Sequence, residues 1–588
     1  MSALTQDSIR QFTRSIAREV SRMIATARPL WNSVRWKKEL LVTLALLLTL
    51  VAPFALRPAQ STAPSHYDRR LVVITPHHDR IRAEFARAFA AHWKKTKGET
   101  LFIDWRVPGG ASDIAMFLKS EYAAAFQNHW VRKLGQPWSA SVATAFASNR
   151  IALPADPKAK RTPAQEAREE FLASDVGIGV DLYFGGGAYD VIQQAEAGML
   201  VAESGRTHAG LAMLHQKHPA WFGDEGIPEA VGGEPYRDKR DRWAGTCLSS
   251  FGIVFNRDVL RRLGITKEPS QWEDLTDPRL FGQVALADPT KSGSVTKAFE
   301  MIIQQQMQKE IDALKANPGK LRTEAETELE GVRRGWESGL KLIQRITANA
   351  RYFTDASTKI PLEIARGDAA AGMSIDFYGR STEDDVRATD GSSRVGFVMP
   401  AGGTSIGVDP IGMLRGAPEP ELAMAFMEFV LGDEGQRLWS FRASVPGGPT
   451  RSALRRLPVR KDFYTPQNAM LMTDAAEKPY EQARQFVYHP EWTDGMFDAI
   501  RFLIRVTCID VHEEQREAWA ALFAAGMPER ATTFFHETKL ISYETTKSSF
   551  NGILRSRDRV QEMRLAKKLS DLYRLQYDRA ASSAKEGR

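Results

Sequence analysis

The sequence predicts an α/β fold built around parallel sheets and divided into more than one domain. Length is the first ground: 588 residues exceed what one hydrophobic core usually organises. Composition is the second, since 43% hydrophobic and 26% charged residues describe a globular chain and exclude disorder, collagen and coiled coil as global forms. The third is pattern. From residue 71 onward, short apolar runs alternate with amphipathic helical periods, the order that lays helices over a parallel sheet.

The first sixty residues read differently. Leu40 to Leu56 (LLVTLALLLTLVAPFAL) contains no charge. As a helix it measures about 25 Å, against roughly 30 Å of bilayer hydrocarbon, and Trp36 lies at its near flank. Arg35, Lys37 and Lys38 precede it and Arg57 alone directly follows. That bias puts the N-terminus in the cytoplasm and the main body beyond the inner membrane, in the periplasm or outside. A cleaved secretory signal and a retained single-pass anchor (40–57) both fit; the long stretch ahead of the run and the imperfect small-x-small sites after it favour the anchor. Within 1–39, Ile9, Phe12, Ile16, Val20 and Met23 recur at helical spacing beside an Arg10, Arg14, Arg18, Arg22 stripe. Such a helix lies on an anionic leaflet or packs on a partner. A polar linker, 58–70, follows.

Leu71 to Thr75 (LVVIT) reads as a buried strand, followed by Pro76-His77-His78 and a helix with Ile81, Phe85, Phe89 and Trp93 on one face. Leu101 to Val107 is a second strand, Gly109-Gly110 a turn, and Ser112 to Phe126 a second helix. In a parallel sheet, ligands sit beyond the carboxyl ends of the strands. Topology alone therefore points to the loops at His77-His78 and at Gly109 to Ser112. Further on, 128–173 reads as an insertion, 306–333 as an exposed helical pair, and the chain after 456 as a helical extension.

A fixed succession of short motifs occupies the middle of the chain. It runs Asp181 to Gly187 (DLYFGGG), Gly252 to Asp258 (GIVFNRD), Pro269 to Leu275 (PSQWEDL) and Asp277 to Pro289 (DPRLFGQVALADP). Then come Ser292-Gly293-Ser294, Ala365 to Met373 (ARGDAAAGM), Met399 to Gly403 (MPAGG) and Ala423 to Gln436. In this order they resemble the extracellular solute-binding proteins of ABC importers, specifically the class II periplasmic-binding-protein fold of the ferric-ion-binding type. The resemblance implies a two-lobed clamp over 71–455, crossed near 250–256 and again near 407–414, with a helical C-terminal extension over 456–588.

Candidate ligand-binding residues follow from these placements. Ser292, Gly293 and Ser294 open a helix, whose free N–H groups and dipole favour an anion; plain N-capping is the competing role. His77 and His78 follow the first strand, where neutral imidazole suits a transition metal and the protonated ring an anion. Gly186, within Gly185 to Gly187, allows close backbone approach or serves as a turn, and Ser112 offers a hydroxyl at the second strand end. Ser374 to Tyr378 (SIDFY) ends a strand where the iron binders resembled place paired tyrosines. Here Phe377 takes one position, leaving Tyr378 with Asp376 beside it, and no acid stands in the Gly triplet. A ferric site would then rest on His78 and Tyr378, with two of four family-type ligands missing, so no resident cofactor is expected.

No GxSxG, HExxH, Walker or GxGxxG motif occurs in a setting that would support catalysis, so the chain is not expected to be an enzyme. The expected function is membrane-tethered capture of a small anionic solute, a phosphonate, phosphate ester or metal–anion pair, by hinge closure and delivery to an ABC permease. The alternative is an anchored sensory or scaffolding protein that reuses the binding fold. Two cysteines, Cys247 and Cys508, supply no disulfide framework. The net charge of +7 is carried by the ends: residues 1–39 hold eight Lys/Arg against three Asp/Glu, and 551–588 hold ten against five. The span between is mildly acidic, which removes the main argument for a nucleic-acid partner.

Overall fold

The computed structural model describes residues 41–44, 46, 47, 49 and 66–588, apart from 157, 318, 320–322, 494, 557 and 588. The expected basic helix of 1–39, most of the apolar run and the linker through residue 65 lie outside the described residues. Among the described residues no helix is long and apolar enough to cross a membrane. The described strands all lie in the compact unit Tyr67–Arg588.

Four strands come first: β1 (Arg69–Ile74), β2 (Leu101–Arg106), β3 (Leu182–Phe184) and β4 (Leu200–Val201). A small hairpin, β5 (Ala230–Val231) and β6 (Glu234–Pro235), leads to the long β7 (Ala244–Asn256). Then come β8 (Val284–Ala287), β9 (Ala350–Thr354), β10 (Ala371–Ile375), β11 (Val395–Val398), β12 (Ile406–Leu414) and β13 (Leu457–Pro458). The fold is mixed α/β, and β1 pairs parallel with both β2 and β3. The helix Asp79–Lys97 between β1 and β2 buries Ile81, Phe85, Phe89 and Trp93, the face that its 3.6-residue period marks.

One strand serves two sheets. The first half of β7 pairs with β12, ending at Ser250 opposite Ile406. Its second half pairs with β10 from Phe251 opposite Ile375, and with β11 on its other side. The first sheet runs β2-β1-β3-β12-β7 and the second β7-β10-β8-β9. The chain thus passes from one sheet to the other at Ser250-Phe251, and Thr404 Oγ1 accepts from Phe251 N at 3.2 Å just before β12 returns. Gly252 lets β11 approach there, because a Cβ at that position would come within 2.2 Å of the Val398 carbonyl oxygen.

Each sheet has its own hydrophobic core. The first gathers Leu71, Phe85, Tyr122, Phe184, Phe426 and Trp439. The second gathers Phe255, Phe299 and Trp336, and it also includes Ile500, Trp519 and Tyr577 from the C-terminal helices. Cys247 and Cys508 are buried free thiols, one in each core. The C-terminal span therefore divides. Leu457, Val459 and Ala483 pack with the first core, whereas the helices Phe497–Ile504, His512–Ala524 and Arg559–Lys585 complete the second.

The stretch expected as an exposed helical pair is instead an antiparallel pair with a buried seam. The helices Gly293–Ala316 and Glu324–Ala348 meet where Gly331, Gly335 and Gly339 lie on Ile311, Met307 and Ile303. The polar residues of 306–333 hide this, because one side of the seam is marked by glycines at four-residue spacing and not by large apolar side chains. A Cβ at Gly335 would fall 2.1 Å from the Met307 Cα. Gly335→Ala is expected to lower stability by about 1–3 kcal/mol through overpacking, despite the intrinsic helix preference for Ala. Thermal denaturation checks it; a midpoint equal to or above that of the parent would contradict the close seam.

Candidate functional site

The strand that passes between sheets creates a junction, and buried charges converge on it. Just beyond β1, His77 is 4% exposed and its Nε2 lies 3.1 Å from Asp409 Oδ2, which projects from β12 at a register shift between Asp409 and Pro410. Burial pushes the His77 imidazole below its ordinary pKa, and the opposing pull of Asp409 does not restore it. A neutral ring donating through Nε2–H fits this, and its Nδ1 has no hydrogen-bond partner among the described residues. Gly185, at φ +99°, packs against that ring, where a Cβ would come within 2.6 Å.

Arg456, fully buried just before β13, forms an ion pair with Asp409. Its Nε donates to Cys247 Sγ at 3.2 Å, and its guanidinium lies 4.1 Å over the Phe377 ring. Burial alone would raise Asp409, but Arg456 and the His77 hydrogen bond outweigh it and hold the carboxyl below the usual range. Nη1 of Arg456 remains without a hydrogen-bond partner among the described residues. From the second sheet, Asp376 opens the helix Asp376–Asp385 at the end of β10. Its Oδ1 accepts from Phe377 N at 2.8 Å, and Ser250 Oγ lies 3.4 Å from Oδ2. Burial raises its pKa against the pull of Arg380 and Arg456. The neighbouring Tyr378 phenol is pushed up to about 12 by burial, so it is a neutral donor and not a phenolate.

A second convergence lies at a helix N-terminus. Ser292 caps Gly293–Ala316, its Oγ accepting from Val295 N at 3.5 Å, and Ser294 stands in the first turn. A Cβ on Gly293 would lie 3.5 Å from both Ser112 Oγ and Asp190 Oδ2, so residues of the two sheets' loops meet here. Burial moves the Asp190 carboxyl up to about 6, with Arg501 opposing. Beside it, the Tyr189 ring stacks on Phe497 of a C-terminal helix, centroids 4.4 Å apart.

The candidate residues thus separate into groups. His77, Asp376 and Tyr378 belong to the buried junction, while Ser112, Ser292, Gly293 and Ser294 belong to the helix N-terminus. Gly186, at φ +83°, is turned onto Tyr183 Oη and the Ala111 side chain. His78 departs from its expected role: it is exposed and caps the helix Asp79–Lys97, its Nδ1 accepting from Arg80 N at 3.3 Å. Arg80 in turn reaches Asp385, the last residue of the helix Asp376–Asp385 that follows β10, at 2.9 Å. Asp409, Arg456 and Asp190 are the residues that sequence reasoning missed. Only Asp190 carried a local signal, its place in the first turn after the Gly triplet. Among the described residues no three His, Cys, Asp or Glu side chains are grouped to hold a metal ion.

Residues 223–471 match the family of bacterial extracellular solute-binding proteins, a class of binders and not of catalysts. This agrees with the resemblance drawn from the motifs. An uncharacterised protein of Haemophilus influenzae is 25% identical over 205 residues, which cover 35% of this chain and 49% of that protein. The chain therefore spans about half the length of this curated relative. Among solved structures, the periplasmic binding protein AfuA of Actinobacillus pleuropneumoniae, with fructose-6-phosphate bound, aligns at 17% identity. That alignment covers 63% of this chain and 81% of AfuA, at a TM-score of 0.38. Iron-bound HitA of Pseudomonas aeruginosa aligns at 14% identity, covering 74% and 98%, at a TM-score of 0.42.

Proposed function

We propose that this chain is the solute-capturing component of an ABC importer, held at the inner membrane by residues 40–57 and closing its two lobes on a small anionic solute. The observation that carries the reading is the shared strand β7, with charged groups from both lobes gathered where it crosses. A joint of that form converts ligand contacts on either side into hinge closure. Two sets of donors favour an anion: Nη1 of Arg456 is a buried N–H with no hydrogen-bond partner among the described residues, and the helix N-terminus at Gly293, close to Ser112, adds backbone N–H groups. Asp190 near neutrality would accept a proton as the anion enters. The closed form would then dock on a permease.

The test is calorimetric titration of the full-length chain in detergent with a phosphonate, a sugar phosphate, a polyamine and ferric citrate. Saturable binding of a phosphorus oxyanion, weakened by Ser112→Ala, is the expected result. Silence toward all four overturns solute capture.

One observation favours the second reading, an anchored sensory or scaffolding protein. The C-terminal span bridges both lobes, through Tyr189–Phe497 and through Tyr488 N donating to the Gly232 carbonyl at 2.7 Å. A clamp strapped by its own chain suits signalling as well as delivery. Affinity purification separates the two, since transport requires a permease and ATPase while sensing requires a kinase or envelope scaffold.

A further inference from the structure

A cavity of 590 Å³ lies at the end of the second lobe opposite the junction. Strand direction fixes its place. β10 runs from Ala371, beside Phe255 of β7, toward Asp376 at the junction. The cavity opens around Asn256 and the segment Ala365 to Gly367, before β10 begins.

Four arginines line it: Arg261, Arg262, Arg366 and Arg394. The only carboxylate among its lining residues is Asp258, which Arg261 holds at 2.5 Å. Arg394 Nε donates to the Ala365 carbonyl at 3.0 Å. The guanidinium groups of Arg262 and Arg366 pair with no group among the described residues. Elsewhere on this surface arginines find acids, as Arg257 does in Glu268 at 2.6 Å and Arg279 in Asp277 at 2.6 Å. The walls are fixed by Asn256, whose Oδ1 accepts from Asp258 N at 3.0 Å and whose Nδ2 donates to the Ile364 carbonyl at 2.7 Å.

Two helices end at the cavity, Arg257–Arg262 and Lys359–Arg366, and each C-terminus contributes about half a negative charge. With Asp258 counted, the basin retains roughly two unbalanced positive charges, with two guanidinium forks unengaged. Arginine presents paired N–H donors that match the oxygens of a phosphoryl group two at a time. We propose that this basin is an anion site for a dianionic phosphoryl group, either inorganic phosphate or a phosphate monoester. It is separate from the junction, and it stands whether or not the junction captures a solute.

The experiment titrates the full-length chain in non-ionic detergent with inorganic phosphate and with a short-chain, soluble phosphatidic acid. It compares the parent with Arg262→Ser/Arg366→Ser and with the control Arg279→Ser, whose arginine lies outside the basin. The expected result is a binding isotherm weakened at least tenfold in the double variant and unchanged in Arg279→Ser, with the thermal midpoint of the double variant unchanged. Binding of phosphate identifies a free ion or soluble ester; binding of phosphatidic acid alone identifies a lipid headgroup. Isotherms that the double variant leaves intact, or no binding of either probe, overturn the proposal. The failure of solute capture reads differently: binding sensitive to Arg262→Ser/Arg366→Ser persists, while no oxyanion binding sensitive to Ser112→Ala is found.

Discussion

Arg456→Met is expected to destabilise the first lobe by about 3–5 kcal/mol, the cost of leaving a buried charge without its partner. Asp409 depends on this guanidinium: burial would raise its pKa, and Arg456 is the main force holding it ionised. Without the arginine, Asp409 faces a neutral His77 whose own protonation is disfavoured by burial. The damage extends beyond one ion pair, because Arg456 also lies over Phe377 of the second lobe and 5.9 Å from the Trp439 ring. Methionine fills much of the volume, so the loss reads as charge and not as cavity. Urea unfolding followed by tryptophan fluorescence measures it, and Trp439 reports from beside the substitution. A companion variant, Arg456→Met/Asp409→Asn, removes the stranded carboxylate and is expected to recover most of the loss. A double variant no better than the single one would show that the pair does not stabilise through charge.

The elements up to residue 126 were legible because their periods are clean. Leu71 to Ile74 of β1 is an apolar run buried on both faces, and the helix after it places Ile81, Phe85, Phe89 and Trp93 on one side. The crossing near Ser250 is not a local property; only the family-like order of motifs pointed to it. The junction was half legible. Strand ends singled out His77 and Asp376, but nothing local distinguishes His77 from His78. The difference is tertiary: one ring meets Asp409 from a strand 332 residues later, and the other caps a helix in solvent. Arg456 sits in a stretch of mixed arginines with no motif, and its burial depends on Cys247, Asp409 and Phe377, each from a different element. The seam of Gly331, Gly335 and Gly339 was hidden for a related reason, since glycines on one side of a contact add nothing to a hydrophobic period.

Lys297→Met is expected to cost a similar amount, about 3–5 kcal/mol, and to test whether the lobes part. Lys297 extends from the second lobe's helix Gly293–Ala316 to Glu234 of β6 in the first lobe at 3.1 Å, and to Glu300 at 3.1 Å. Its ammonium lies 3.2 Å from the ring centroid of Tyr488, which joins the lobes from the C-terminal span. Burial would lower the lysine, but Glu234 and Glu300 outweigh it and hold it charged. The acids are committed elsewhere too: Ser405 Oγ donates to Glu234 at 2.6 Å, and Thr493 Oγ1 donates to Glu300 at 2.6 Å. Removing the cation leaves two buried carboxylates facing each other across the lobe boundary. They separate by opening the lobes or by taking up a proton. Small-angle scattering distinguishes the outcomes, because opening enlarges the radius of gyration and protonation does not. If the lobes open, the closed population falls and anion affinity falls with it in proportion. Glu234→Gln added to Lys297→Met should then restore both. Unchanged scattering with unchanged affinity would mean that the C-terminal helices, and not this ion pair, hold the clamp shut.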